Sequence, residues 1–593
     1  MTKRRITKKQ MEEVHPQIPG VYESLVQGRI SRREFMRTST LLGMGAGVAA
    51  IAAACGGEEA VDSGAAEPVE EAEVVEEPTA APEEPTAVPE PEEPAMSGKR
   101  GGVIRVGSDV KAVDHPARYS WIFDANQTRM VYEYLTETDK DNITHPYLLE
   151  EWVANAELTQ WDLKLRQGVL FSNGDELQAE HIVWNIEQWL NVDVGSSILG
   201  LWEGFLTTSD IEVIDEYTIR LNLAAPLLAV PEQLFHYPAQ ILHPSFDGDV
   251  ASGNTPGTGP HVIDEYVTGE RVRTVARWAQ GDETYWQLGE DGKPLTYYEA
   301  LEWINLGEDS TAYVAALQGG QIDTIYSGNV GPDTFLALQG NPDIDIASAG
   351  TSNTRVWRMR QDQEPWTDQR LVNAVKKVQD REKILAAAFF DEGIVGYDTH
   401  ISPVHPAWSP MDVPAYDPEG AMELMAEAGV ESLDFDVSVG TGWPDIVTFA
   451  ETVQEDAKAA NINITLDTMP NAAFWDLWSE TTVGVTPWTH RPLAVMLLPL
   501  AYIGDAEGNP VPWNETRFVD EEFSTILKEA QGTLDVEARR ALYADLQRIQ
   551  QERGAVLISY FMNVWQPASK NLNGVVAHPT NYNLWMEAWI ETA

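Results

Sequence analysis

From Gly101 to the C-terminus, short β-type runs alternate with helical stretches, and this alternation restricts the chain to α/β architectures more than any other feature does. The body opens with Gly101-Gly102 and the β-like run VIRVGS. In the stretch AEHIVWNIEQWLN, residues Ile182, Val183, Ile186, Trp189 and Leu190 recur at helical spacing on one face, with Trp184 off it, which reads as a core helix. The spacing predicts further helices over 369–390, 417–430 and 535–554. Asp417 reads as an N-cap with Pro418 in the first helical position, and Gly429 as the stop. The run GNTPGTGP at 253–260 is dense in turn formers and predicts irregular backbone; no Lys-Ser/Thr follows, so it is not a phosphate loop. At 593 residues the chain is too long for one core, so several units are expected.

The first hundred residues read as delivery and tether. Residues 41–54, LLGMGAGVAAIAAA, are uncharged but too few to span about 30 Å of hydrocarbon at about 1.5 Å per residue. They read as the apolar region of a signal peptide. Ahead of them SRREFM, with Arg32 and Arg33, resembles a twin-arginine export signal. Ala52-Ala53-Ala54-Cys55 resembles a lipoprotein processing site, which makes Cys55 the expected lipidation residue; Ala52 departs from the larger aliphatic residue usual there. Ordinary cleavage after an A-x-A pattern, or retention of the run as an anchor, stays open. Cys55 is the only cysteine, so no intramolecular disulfide exists. Residues 56–98 hold 14 Asp and Glu, 7 Pro and no Lys or Arg, a composition that stays extended and serves as a spacer.

A formal charge of -53, from 93 acidic against 40 basic residues, repels phosphate backbones and excludes nucleic acid as a partner. No G-x-S-x-G or H-E-x-x-H pattern occurs, so an exported hydrolase finds no support beyond unassigned carboxylates. His400 and His405, in DTHISPVHP, stand five apart with no cysteine nearby, so neither a metal nor a cofactor is expected.

Six segments then carry a resemblance. In order they are LKLRQGVLFSNGDELQAEHIVWNIE (163–187), PGTGPHVIDEY (256–266), ALQGGQIDTIYSG (316–328), RLVNAVKKVQDREKIL (370–385), DPEGAMELMAEAG (417–429) and RRALYADLQRIQQERGAVLISYF (539–561). Together they resemble the peptide- and nickel-type extracellular solute-binding family, family five, over nearly all of 100–590. His181 and His261 depart from the acidic residue and the tyrosine common at those places. The resemblance implies an α/β, two-lobed periplasmic-binding-protein type II fold with an extra subdomain inserted in lobe one. Lobe one is expected over 99–357 with its insertion near 146–250, lobe two over 358–555, and a return to lobe one over 556–593. It implies a monomeric, non-catalytic protein at the outer face of the cytoplasmic membrane. Such a protein captures a small molecule or peptide between its lobes and hands it to an ABC permease and ATPase. A sensory or chaperone-like binding protein is the alternative.

Candidate ligand residues are aromatic and polar groups in turn or strand-end context: Trp121, Trp357, Arg358, Trp443, Trp488, His490 and Arg491. In peptide-binding relatives an aspartate in the region of PWTHRP receives the ligand's α-amino group. This chain has Thr489, His490 and Arg491 there and no acid until Asp505, a pattern that favours an anionic, sugar-like or conjugated ligand.

Overall fold

The computed structural model describes residues 100–289, 291–505 and 507–591. Among them one sheet of twelve strands runs through the body. Its strands used here are β1 (Val103–Gly107), β6 (His261–Val267), β7 (Arg271–Ala276), β8 (Ala300–Ile304), β9 (Thr324–Ile325), β10 (Ile344–Met359), β11 (Leu433–Gly440), β12 (Ile462–Met469), β13 (Val483–Trp488) and β14 (Tyr560–Ser569). Strands β2 (Leu149–Ala154), β3 (Gln160–Leu165), β4 (Ile211–Asp215) and β5 (Thr218–Asn222) form a separate antiparallel sheet in the order β2-β3-β5-β4.

The order in the large sheet is β12-β11-β13-β10-β14-β9-β1-β8-β7-β6. Two parallel cores stand in it: β1 between β8 and β9, and β11 between β12 and β13. The antiparallel pair β10 and β14 joins them. β10 is 16 residues long, far beyond an ordinary strand of about 5–6, because it serves both cores in turn. From Ile344 to Gly350 it pairs β14; its register then shifts, and from Thr354 to Met359 it pairs β13. The residues between, Thr351 to Asn353, form the crossing.

The four-stranded sheet packs its inner residues, Trp161, Leu163, Ile219 and Leu221, under the helix Ala179–Leu190, whose Ile182, Ile186 and Trp189 are buried as the periodicity requires. His181 explains its own departure. It stands at the third helical position, and its Nδ1 accepts the Gln178 backbone N–H at 3.0 Å, the task an acidic residue performs in a capping box. Asp417 accepts the Gly420 N–H, and the helix runs Pro418–Glu427 with Gly429 at φ 77° beyond it. Asp535 caps Val536–Arg553. The expected single helix over 369–390 is two, Gln369–Lys377 and Arg381–Phe389, because Asp380 turns its carboxylate to the Lys383 N–H and starts a new helix. Residues 253–260 form neither helix nor strand, as their composition dictates.

Candidate functional site

Strands β11 and β13 are parallel, so their C-terminal ends, Gly440 and Trp488, open on one edge of the sheet, the edge where α/β folds of this kind hold ligands. Immediately after β13 the chain presents Thr489, His490 and Arg491. His490 is buried and acts as a joint. Its Nδ1 accepts the Ser352 backbone N–H at 3.0 Å, so Nε2 carries the proton and donates to Asn142 Oδ1 at 2.9 Å, while its own backbone N–H donates to Asn353 Oδ1 at 2.7 Å. Burial holds this imidazole neutral, well below its ordinary value, with His405, His578 and Arg491 adding to the effect.

Arg491 is fixed through its backbone. Its N–H donates to Ser352 Oγ at 3.1 Å, and its carbonyl accepts His405 Nε2–H at 3.1 Å. The guanidinium itself reaches only neutral acceptors, the His490 carbonyl at 3.1 Å and Thr489 Oγ1 at 3.4 Å. Among the described residues it forms no ion pair with a carboxylate. Burial lowers its proton affinity, with Tyr582 and Tyr237 opposing. Burial and then the Arg491 charge bring His236 down to about 3.

A second arginine, which sequence reasoning missed, borders the same tyrosine. Arg129 lies 4.4 Å from the ring centre of Tyr582, 4.5 Å from Tyr134 and 5.0 Å from Phe235. Its Nε donates to Asn126 Oδ1 at 3.3 Å, and Nη1 and Nη2 are buried with no hydrogen-bond acceptor. Glu137, pushed up to about 7 by burial, is a carboxylate that its charge reaches.

Trp121 stands 54% exposed, stacked on Phe123 with the Lys111 ammonium 4.4 Å from its ring. Trp443 and Trp488 are the ends of a run of five indoles. Trp443 meets Trp475 at 6.0 Å, Trp475 meets Trp478 at 5.5 Å, Trp478 meets Trp513 at 6.3 Å, and Trp513 meets Trp488 at 6.1 Å. Trp475, Trp478 and Trp513 were not singled out from the sequence; a W-x-x-W spacing at 475 and 478 was the available signal.

Trp357 and Arg358 do not belong to this site, which corrects the expectation placed on them. Both are 0% exposed. Trp357 packs edge-on to Phe435 and Phe449 within the second core. Arg358 donates to the carbonyls of Thr481 and Trp478 and lies 3.8 Å from Glu515. Their register on β10, opposite Val485 and Gly484, turns them into the packed layers.

His405 is satisfied within the protein, its Nδ1 accepting the Ser402 N–H at 3.0 Å and its Nε2 donating to the Arg491 carbonyl, whereas His400 bonds Tyr502 Oη at 2.8 Å through Nδ1 and keeps Nε2 buried without a partner. Among the described residues no group of three or more His, Cys, Asp or Glu is placed to hold a metal. Asn142 and His405 also line a cavity of about 570 Å³ beside the Ala347–Gly350 stretch of β10, which contains none of the expected ligand residues except as neighbours.

Two parallel cores joined by a crossing strand pair, with polar and aromatic side chains gathered where the strands end, define a two-lobed α/β protein that binds a solute. Residues 144–494 match the bacterial extracellular solute-binding proteins, family 5 (middle region), and the chain belongs to that family. Its members bind solutes without transforming them, and the family gives the chain the role of a substrate-binding component of an ABC importer. Di/tripeptide-binding protein 2 of Pseudomonas aeruginosa (strain UCBPP-PA14) is 25% identical over 518 residues, covering 78% of this chain and 90% of the relative. HbpA2 from Haemophilus parasuis superposes with a TM-score of 0.72 at 20% identity, covering 83% of this chain and all of that one. The unliganded open form of the periplasmic murein tripeptide binding protein MppA gives 0.72 at 17% identity, covering 83% and 99%. The shared fold is the two-lobed one with an inserted subdomain. Among the described residues no helix is long and apolar enough to cross a membrane.

Proposed function

We propose that this chain is a lipid-tethered importer subunit that captures an anionic solute between its lobes at Arg491 and passes it unchanged to the permease. In this reading lobe one is 99–357 with its insertion near 146–250, lobe two is 358–555, and 556–593 returns to lobe one. In the same reading twin-arginine export through Arg32 and Arg33 and acylation of Cys55 hold it at the outer face of the cytoplasmic membrane; these residues lie outside the described ones. Thr351 to Asn353 are the natural bending point, since the register of β10 against β14 shifts there and pairing with β13 begins just beyond.

The observation that carries the ligand reading is Arg491: a largely buried guanidinium without a carboxylate, in a chain where acids outnumber bases by more than two to one. A carboxylate or phosphate would complete it bidentately. The likeness to proteins named for di- and tripeptides supports a ligand of that size. Calorimetric titration with di- to pentapeptides, their C-terminal amides and their N-acetyl forms tests this. Binding that survives N-acetylation but not C-terminal amidation, and that falls in Arg491→Gln, is the expected result. Tight binding that requires a free amino terminus overturns it.

A further inference from the structure

Resting on the placement of the ligand at Arg491, we infer that the five-indole run from Trp488 to Trp443 is the second half of the same binding site, and that it takes an extended, uncharged part of the solute built of flat rings. The run begins at Trp488, three residues before Arg491, and follows the C-terminal edge to Trp443 just beyond β11. The run and the anion site therefore follow one another in the chain at the end of β13. Trp475 and Trp513 are 39% and 49% exposed, and Leu477 beside them is 48% exposed. Each exposed indole leaves apolar area in water that only a partner can cover.

Charge decides the chemistry of that partner. None of the cation–ring contacts among the described residues involves these indoles. Acids at the run already face arginines: Asp445 is paired with Arg355 at 2.5 Å, and Glu515, beside Trp488, lies buried 3.8 Å from Arg358. A neutral ring face suits the run better than a second ionic group. A free acceptor adds to this: Asn471 Oδ1 is buried with no hydrogen-bond partner, beside Gly440 and Gly442. A Cβ on Gly442 would meet the Asn471 amide, Nδ2 at 2.2 Å and Oδ1 at 2.7 Å, so the glycine makes room for that side chain next to Trp443. Pyranose rings and aryl groups share the flat apolar face that indoles recognise, and a pyranose could in addition donate a hydroxyl to Asn471.

Three probes of equal charge test the inference on the full chain by calorimetry: acetate, cellobionate and biphenyl-4-acetate. Titrations use wild type, Trp475→Ala, Trp513→Ala and Arg491→Gln. The two indoles are exposed, so thermal melts of the variants serve as the check on folding. At least one ringed acid should bind about tenfold or more tighter than acetate, and that gain should disappear in either tryptophan variant. Preference for cellobionate marks a glycosidic solute, and preference for biphenyl-4-acetate an aryl one. Ringed acids that bind no tighter than acetate, or a gain that survives both substitutions, overturn the inference. Loss of all three probes in Arg491→Gln with the ring gain intact elsewhere supports both readings. Indifference to Arg491→Gln with sensitivity to the tryptophans sinks the anion site and leaves the ring site standing.

Discussion

The imidazole of His490 donates from Nε2 to Asn142 Oδ1 at 2.9 Å, linking the end of β13 to a turn 348 residues earlier in the chain. Through Nδ1 the same ring accepts the Ser352 N–H in the crossing of β10, so three segments depend on one neutral histidine.

Replacing His490 by Gln should cost about 1–3 kcal/mol at neutral pH, as buried partners lose their bonds. The pH dependence of that cost has a definite sign. His490 is held well below its ordinary value in the fold, so the unfolded chain takes up the proton first as pH falls. Its contribution is complete above about 6.5 and shrinks below it, by up to about 1.4 kcal/mol per pH unit. Other histidines, such as His405 and His578 at about 4, tilt wild type and variant alike, while Asp124 and Glu137, raised to about 7, tilt both the other way. Denaturant midpoints at pH 7.5, 6 and 5 should therefore show the gap between wild type and His490→Gln narrowing. A constant gap would remove the histidine from the account.

The ion pair of Arg381 and Asp398 is a second, separate prediction. The two side chains are 2% and 1% exposed and 2.5 Å apart, and Asp398 also accepts the Ile558 N–H at 3.0 Å and a Gln379 N–H at 3.2 Å. Asp398→Ala leaves a buried guanidinium without its counter-charge and should lower stability by about 3–5 kcal/mol. Arg381→Met combined with Asp398→Leu should recover part of that loss in a double-mutant cycle by urea denaturation.

How much of this could be read from the sequence depended on the range of the interaction. Caps are local, so Asp417 with Pro418, and Asp535, were legible from neighbouring residues. The missed break at Asp380 was also local, but apolar residues continue past it at helical spacing and masked the cap. Trp357 and Trp488 were given the same role although they lie on adjacent strands, because the face a strand residue occupies follows from register, which the sequence does not state. Arg491 was legible as a cation where an acid was expected. That no carboxylate answers it, and that Arg129 lies beyond the same Tyr582, are products of folding across hundreds of residues.

Membrane attachment is tested apart from the fold. If Cys55 carries the anchor, its acyl chains at about 0.8 kcal/mol per buried CH₂ hold the protein at the membrane, and Cys55→Ser should move it to the soluble extracytoplasmic fraction without altering ligand affinity. Fractionation followed by immunoblotting reads the result directly. A variant that stays with the membrane would assign the anchor to the uncharged run at 41–54 instead.

Arg358 offers the last prediction, and its sign again follows from a shifted group. Glu515 is buried 3.8 Å from Arg358, and desolvation raises its carboxyl to about 7, with the Arg358 charge opposing. A carboxyl raised in the fold contributes its stability at low pH, below its unfolded value near 4.5, and loses it progressively as pH climbs through the folded value. Arg358→Met removes the opposing charge, pushes that value higher, and frees the Thr481 and Trp478 carbonyls. The variant should be less stable than wild type by about 3–5 kcal/mol at pH 8, with a smaller deficit at pH 6, where Glu515 is already protonated in both proteins. Because Arg358 holds the Trp478 carbonyl, its loss should also loosen the middle of the indole run. The variant's tryptophan fluorescence should shift to the red before unfolding begins, whereas a deficit that does not change with pH and a spectrum identical to wild type would show that Glu515 draws nothing from Arg358.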